Sequence, residues 1–84
     1  MQPFINGIGL GSPVRRASNG VSLEGGVRTA ITTSLKGRVC KMTGNGTCRV
    51  QFEQVGCRTV HVSNLILAAE PAPHCTAACR DTIA

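Results

Sequence analysis

The stretch Gly37-Arg38-Val39-Cys40-Lys41-Met42-Thr43, then Gly44-Asn45-Gly46, then Thr47-Cys48-Arg49-Val50-Gln51-Phe52-Glu53-Gln54 decides the fold. Cys48, Val50 and Phe52 alternate with Arg49, Gln51 and Glu53, the period of two that marks a half-buried strand. Asn45-Gly46 sits between two β-prone runs, and both residue types accept the positive φ of tight turns whose twist matches that of paired strands. The pattern predicts a hairpin. Val55-Gly56 reverses the chain again, after which Arg58, Val60 and Val62 fall on one face and Cys57, Thr59 and His61 on the other, giving a three-stranded meander.

Working outward, Ser63-Asn64 breaks the alternation and Leu65-Ile66-Leu67 resumes an apolar run, which predicts a short helical turn and a closing strand. Val27 to Leu35 supplies the first strand. The expected fold is all-β: a small five-stranded barrel over residues 27–69, whose closure removes the exposed sheet edges that invite aggregation. Residues 1–26 carry six of the ten glycines, two of the four prolines and apolar residues without a period, and are expected to form a flexible glycine-rich arm. Glu70-Pro71-Ala72-Pro73 stops the last strand, because each proline biases its predecessor to extended geometry. Residues 70–84 then read as a linker and a short C-terminal tail or helix, with Pro73 in the first turn.

The residues Leu35-Lys36-Gly37-Arg38-Val39, Gly44-Asn45-Gly46, Val50-Gln51-Phe52-Glu53 and Val60-His61-Val62-Ser63-Asn64-Leu65 together resemble the repeat of KOW, Tudor and related SH3-like barrels. In those domains a glycine and valine open a strand, a Val-x-Phe or Val-x-Trp strand follows a turn, and an Asn-Leu or Asp-Leu pair ends the meander. The resemblance covers roughly half the chain and implies a fold rather than an activity. Tudor-type cages for methylated lysine need three or four aromatic residues, and Phe52 is the single aromatic in this region. A KOW-type domain sets basic loop residues against RNA backbone, and Lys36, Arg38, Lys41, Arg49 and Arg58 are available for that, with Glu53 the only acid in the span. A second resemblance is to the plasmid-borne dihydrofolate reductases, small SH3-like barrels assembled around a pore. Their Val-Gln-Ile-Tyr run corresponds here to Val60-His61-Val62-Ser63, which lacks the glutamine and the tyrosine.

Composition narrows the function further. Eighty-four residues allow one small domain, and a chain this short buries only about 60% of the surface its unfolded form exposes. Nine Lys and Arg against four Asp and Glu give a formal net charge of +5, and seven of the nine cations are Arg, the residue suited to bidentate contact with phosphate or carboxylate. The expected function is a non-enzymatic basic barrel binding RNA or a ribonucleoprotein surface through Lys36, Arg38, Lys41, Arg49 and Arg58, assisted by Arg15 and Arg16 from the arm. The alternative is a homo-oligomeric protein-interaction barrel. A pore reductase and a zinc-binding module stand behind both.

No run approaches the roughly 20 apolar residues of a membrane-spanning helix. Arg15, Arg16 and Arg28 among serines and threonines have the composition of an organellar transit peptide, but the glycines weaken the amphipathic helix such a peptide needs. With no secretory signal evident, the expected location is the cytoplasm or an organellar matrix. Five cysteines, an odd number, do not imply a complete disulfide framework, and Cys48, in phase with Val50 and Phe52, reads as a small buried hydrophobe. Cys40 and Cys57 flank the same meander and admit the same reading. Cys57, His61, His74, Cys75 and Cys79 carry the right ligand types for zinc. Cys57 and His61, however, lie about 13 Å apart along a strand. Cys75 and Cys79, neighbours on a helix, have the spacing either to hold a metal or to oxidise to each other. No metal, cofactor or catalytic residue is assigned: two histidines and four acids form no legible triad, and Gly7-Ile8-Gly9-Leu10-Gly11 lacks the Lys-Ser or Lys-Thr of a phosphate loop.

Overall fold

A computed structural model describes residues 7–80. The Asn45-Gly46 turn forms as its residue types require. Asn45 and Gly46 both take positive φ, 53° and 75°, and join β4 (Gly37–Gly44) to β5 (Thr47–Phe52). Before them run β1 (Pro13–Arg16), β2 (Gly20–Glu24) and β3 (Val27–Ile31); after them come β6 (Gly56–His61), a single 3-10 turn at Val62–Asn64, and β7 (Leu65–Leu67). A helix of one turn, α1 (Ala77–Arg80), ends the described chain. The strands form two antiparallel sheets, one of five strands in the order β6-β5-β4-β1-β7 and one consisting of the hairpin β2-β3.

The meander, the helical turn and the closing strand stand where the alternation puts them, but the sheet is completed differently from the expected barrel. Seven strands are present among the described residues, and the five-stranded sheet ends in two edges, β6 and β7. The strand that joins the meander to β7 is not Val27 to Leu35. It is β1, from the segment read as a flexible arm. Val14 pairs with Gly37 on one side and Leu67 on the other and is fully buried. The ladder continues past the strand ends, with the Val39 amide donating to the Ser12 carbonyl at 3.0 Å and the Ala68 amide to the Pro13 carbonyl at 2.9 Å. Ile8 is buried as well. A single valine or isoleucine every few residues is enough to anchor a strand when both of its neighbours are already paired. The N-terminal boundary at residue 26 therefore has no counterpart in the hydrogen bonding. Residues 1–6 of the expected arm lie outside the described residues, as do residues 81–84 of the expected tail helix.

Val27 to Ile31 does form a strand, but it pairs with β2 over five residue pairs from Gly20↔Ile31 to Glu24↔Val27. Gly25 and Gly26, at φ 61° and 77°, make the two-residue turn between them, the glycine pair supplying left-handed backbone at no steric cost.

The core lies between the inner face of the sheet and the hairpin's base. Cys48, Val50 and Phe52 of β5 point into it, with Val39, Val60, Val62 and Leu65 from the flanking elements and Ile31 from the hairpin. Close packing leaves no room at Gly37, where an added Cβ would stand 2.6 Å from Val50 Cγ1 and 3.0 Å from Phe52 Cδ1. Glycine is thus required where β4 crosses the two largest buried side chains of β5, Val50 and Phe52.

Two disulfides tie the last segment to the sheet: Cys40 of β4 to Cys75, and Cys57 of β6 to Cys79. Cys40 is the extra residue at a register shift between Val39 and Lys41. Cys57 pairs opposite Gln51, on the same face of the sheet as Arg49. Cys40 and Cys57 are therefore half-cystines rather than small hydrophobes, and Cys75 and Cys79 are not bonded to each other.

Candidate functional site

The seven predicted cations do not converge on one patch. Register places Arg38 opposite Gln51 and Lys41 opposite Arg49, so Arg38, Lys41 and Arg49 share the outer face of β4 and β5. Arg58 pairs with Val50 and belongs to the inner face. Arg15 is exposed on β1, whereas Arg16 is half-buried and donates from Nε to the Ser18 carbonyl at 2.9 Å. Lys36 is half-buried at the entry to β4, its backbone amide donating to Glu53 Oε1 at 3.0 Å.

Arg38, Arg49 and Arg58 are held in ion pairs within the protein. The Arg38 guanidinium donates to Glu70 Oε1 at 2.7 Å, to the Gly11 carbonyl at 2.8 Å and to the Pro73 carbonyl at 3.0 Å. The Glu70 carboxyl is held below its ordinary range, chiefly by that hydrogen bond from Arg38. Residues 70–75 thus cross over Arg38 and close it to an external phosphate. Cys75 fixes this crossing through its bond to Cys40, two residues along β4.

Arg49 and Arg58, from opposite faces of the sheet, meet at Glu24, the last residue of β2. Arg49 Nη1 lies 3.2 Å from Glu24 Oε1 and Arg58 Nη1 lies 3.7 Å from Oε2. The same carboxylate accepts the Thr59 amide at 2.9 Å. Thr59 lies on β6, a sheet edge, so Glu24 satisfies an edge amide that would otherwise be open to a foreign strand. Nε of both arginines is buried without a protein partner, which makes the Glu24 contacts their main compensation for lost hydration.

Sequence reasoning did not find the organising acids Glu24 and Glu70 or the exposed Arg28. The available signal for Glu24 was its place before Gly25-Gly26, a hairpin dipeptide flanked by Val21, Leu23 and Val27.

The thiols required for a zinc site are consumed. Cys57, Cys75 and Cys79 are in disulfides, and among the described residues no three His, Cys, Asp or Glu side chains are grouped to hold an ion. Cys48 keeps a free thiol with no exposure, and burial pushes its pKa up to about 11, so it is an inert core residue rather than a nucleophile.

The crossing of residues 70–80 over the sheet also creates a concavity. A cavity of about 410 Å³ lies between Leu10, Gly11, Arg38, Val39, the Cys40–Cys75 disulfide, His74 and Arg80. No helix among the described residues is long and apolar enough to cross a membrane. In comparisons with known proteins, the chain matches no family model, no curated protein and no solved structure.

Proposed function

We propose that this chain is a non-enzymatic, disulfide-stapled module of SH3-like barrel type that binds RNA or a ribonucleoprotein surface through phosphate contacts. The SH3-like reading is supported by a strand order in which β1 lies between the meander and the closing strand, and by the 3-10 turn that leads into β7. One observation carries the binding reading: each described carboxylate is engaged by an internal partner, while cations remain outside. Glu24 is held by Arg49 and Arg58, Glu53 by the Lys36 amide and Glu70 by Arg38. Arg15 and Arg28 stand exposed, outside these pairs, with Arg16 and Lys36 half-buried. The contacts fall to these residues, and Arg38, Arg49 and Arg58 serve the fold.

Such binding is weakly sequence-specific and steeply salt-dependent. The test is titration of labelled mixed-sequence RNA with the oxidised protein at about 50 and 200 mM salt; three phosphate contacts on a single strand predict roughly 20-fold weaker binding at the higher salt. Arg15→Gln with Arg28→Gln should flatten that dependence. Equal binding at both salts, or none at either, rules the reading out. The two disulfides favour folding in an oxidising compartment over the cytoplasm or organellar matrix.

A second reading, self-association, is favoured by the hairpin. Val21 and Leu23 on its outer face are 58% and 67% exposed, and Val27 beside the turn is 59% exposed. Light scattering in the same buffers separates the two: a defined oligomer with no RNA affinity selects self-association.

A further inference from the structure

We propose that the cavity under residues 70–80 binds a terminal carboxylate carried on an apolar body. Its apolar lining is the Cys40–Cys75 disulfide and Leu10, a large aliphatic side chain left 48% exposed; Val39 borders it through its backbone, its side chain being buried in the core. Among the described residues, the ionisable groups that line it, Arg38, His74 and Arg80, are all basic. The nearby Glu70 is bound to Arg38, so that pair is internally balanced.

The division of labour follows from what is already bonded. Arg38 donates to Gly11, Glu70 and Pro73, which leaves it to shape the wall rather than to take a ligand. Arg80 is exposed at the end of α1, and His74 is exposed beside the disulfide. These two supply the anion contacts, a guanidinium fork and a ring N–H, at the rim of a space whose interior is sulfur and aliphatic carbon. An anion without an apolar body leaves that interior wet, and an apolar molecule without an anion leaves Arg80 unused. The volume falls in the range of small-ligand sites, roughly 300–1,000 Å³. None of the described residues that line it is a phenylalanine on which a base would stack, and this favours an aliphatic body.

Two sources share this chemistry, a free aliphatic acid and the C-terminus of an apolar peptide. Octanoate, octanol, acetate and the tripeptide acetyl-Ala-Ala-Leu, as free acid and as amide, separate them. Each is titrated into the oxidised full chain, with amide chemical shifts followed by NMR. Octanoate or the free-acid peptide should shift the amides of Val39, Cys40 and Cys75, and whichever binds more tightly identifies the source. Octanol, acetate and the peptide amide should bind at least tenfold more weakly. Arg80→Gln, an exposed change that leaves the fold intact, should weaken the productive ligand about tenfold, and His74→Gln several-fold, as loss of a charge-assisted hydrogen bond predicts. The proposal fails if neither carboxylate shifts these amides, if the neutral counterpart of the productive ligand (octanol for octanoate, the amide for the peptide) or acetate matches it, or if Arg80→Gln changes nothing. None of these outcomes depends on whether the protein binds RNA.

Discussion

The hairpin β2-β3 covers the inner face of the five-stranded sheet and the segment 70–80 lies against its outer face, and the two are held there by different physics. The hairpin has a ladder of five residue pairs of its own and sends Ile31 into the core, where it is 1% exposed. One carboxylate, Glu24, then suffices to seat it against β6. The last segment has no strand partner and one helical turn, and among its residues only Cys79 is fully buried. It is held by two covalent bonds and the Arg38 contacts. An element that satisfies its own backbone and buries an aliphatic side chain needs little extra; an element that does neither has to be tied. The described core has one aromatic residue, Phe52, and small domains of this size commonly add disulfides to supplement so small a core.

The largest test of this contrast is removal of the ties. Replacing Cys57 and Cys79 by serine should cost roughly 3–4 kcal/mol, the chain entropy of a cross-link at this separation, and lower the melting temperature on the order of 20 °C. A loss below about 1 kcal/mol in denaturant titration would show that non-covalent contacts hold the segment. In the same sample, alkylation under non-reducing conditions should find one thiol, Cys48, and only after unfolding. Glu24→Ala comes next. It should cost about 1–3 kcal/mol, because it strands two partly buried guanidinium groups and the Thr59 amide. It should also speed hydrogen exchange along β6 while leaving β1 unchanged. If β1 exchanges faster too, the hairpin is not an independently seated unit. Leu23→Ser on the hairpin's outer face should change stability by no more than about 0.5 kcal/mol in the monomer. A larger effect that grows with protein concentration would reveal an interface there.

The smallest expected effect is at Glu70. Its folded pKa lies below the ordinary 4.5, so its contribution is fully present above that value and fades as the pH falls through the lower folded pKa. Wild type should therefore unfold at higher urea than Glu70→Gln at pH 7, and the two midpoints should converge in acid. Midpoints that stay apart in acid would mean that the crossing over Arg38 rests on the backbone carbonyls and not on the ion pair.

Much of the sheet was legible because its signals are local. Asn45-Gly46 specifies a turn within two residues, and the Cys48, Val50, Phe52 alternation specifies which face turns inward. β1 was not legible, since Pro13 to Arg16 holds one buried side chain and its strand character comes from β4 and β7, far away in sequence. The glycines at 25 and 26 were counted as composition when their meaning was positional. The cations were misjudged for a related reason. Arg38, Arg49 and Arg58 look available in sequence, and only the fold brings Glu24 and Glu70, 25 and 32 residues away from Arg49 and Arg38, onto them. Disulfide connectivity likewise cannot be read from spacing, because it records which cysteines the sheet has already brought together.

The two cross-links interleave, Cys57 falling between Cys40 and Cys75, and Cys75 between Cys57 and Cys79. Any single peptide-bond cleavage from residue 40 to residue 79 therefore leaves both pieces in one covalent molecule, wherever the protease cuts. Cleavage at the Gly25-Gly26 turn does not share this protection, and the piece it frees carries β1 and β2, including an interior strand of the five-stranded sheet. Under proteolytic attack, the exposed turns before the first cysteine, this loop tip among them, are where one cut can take the molecule apart.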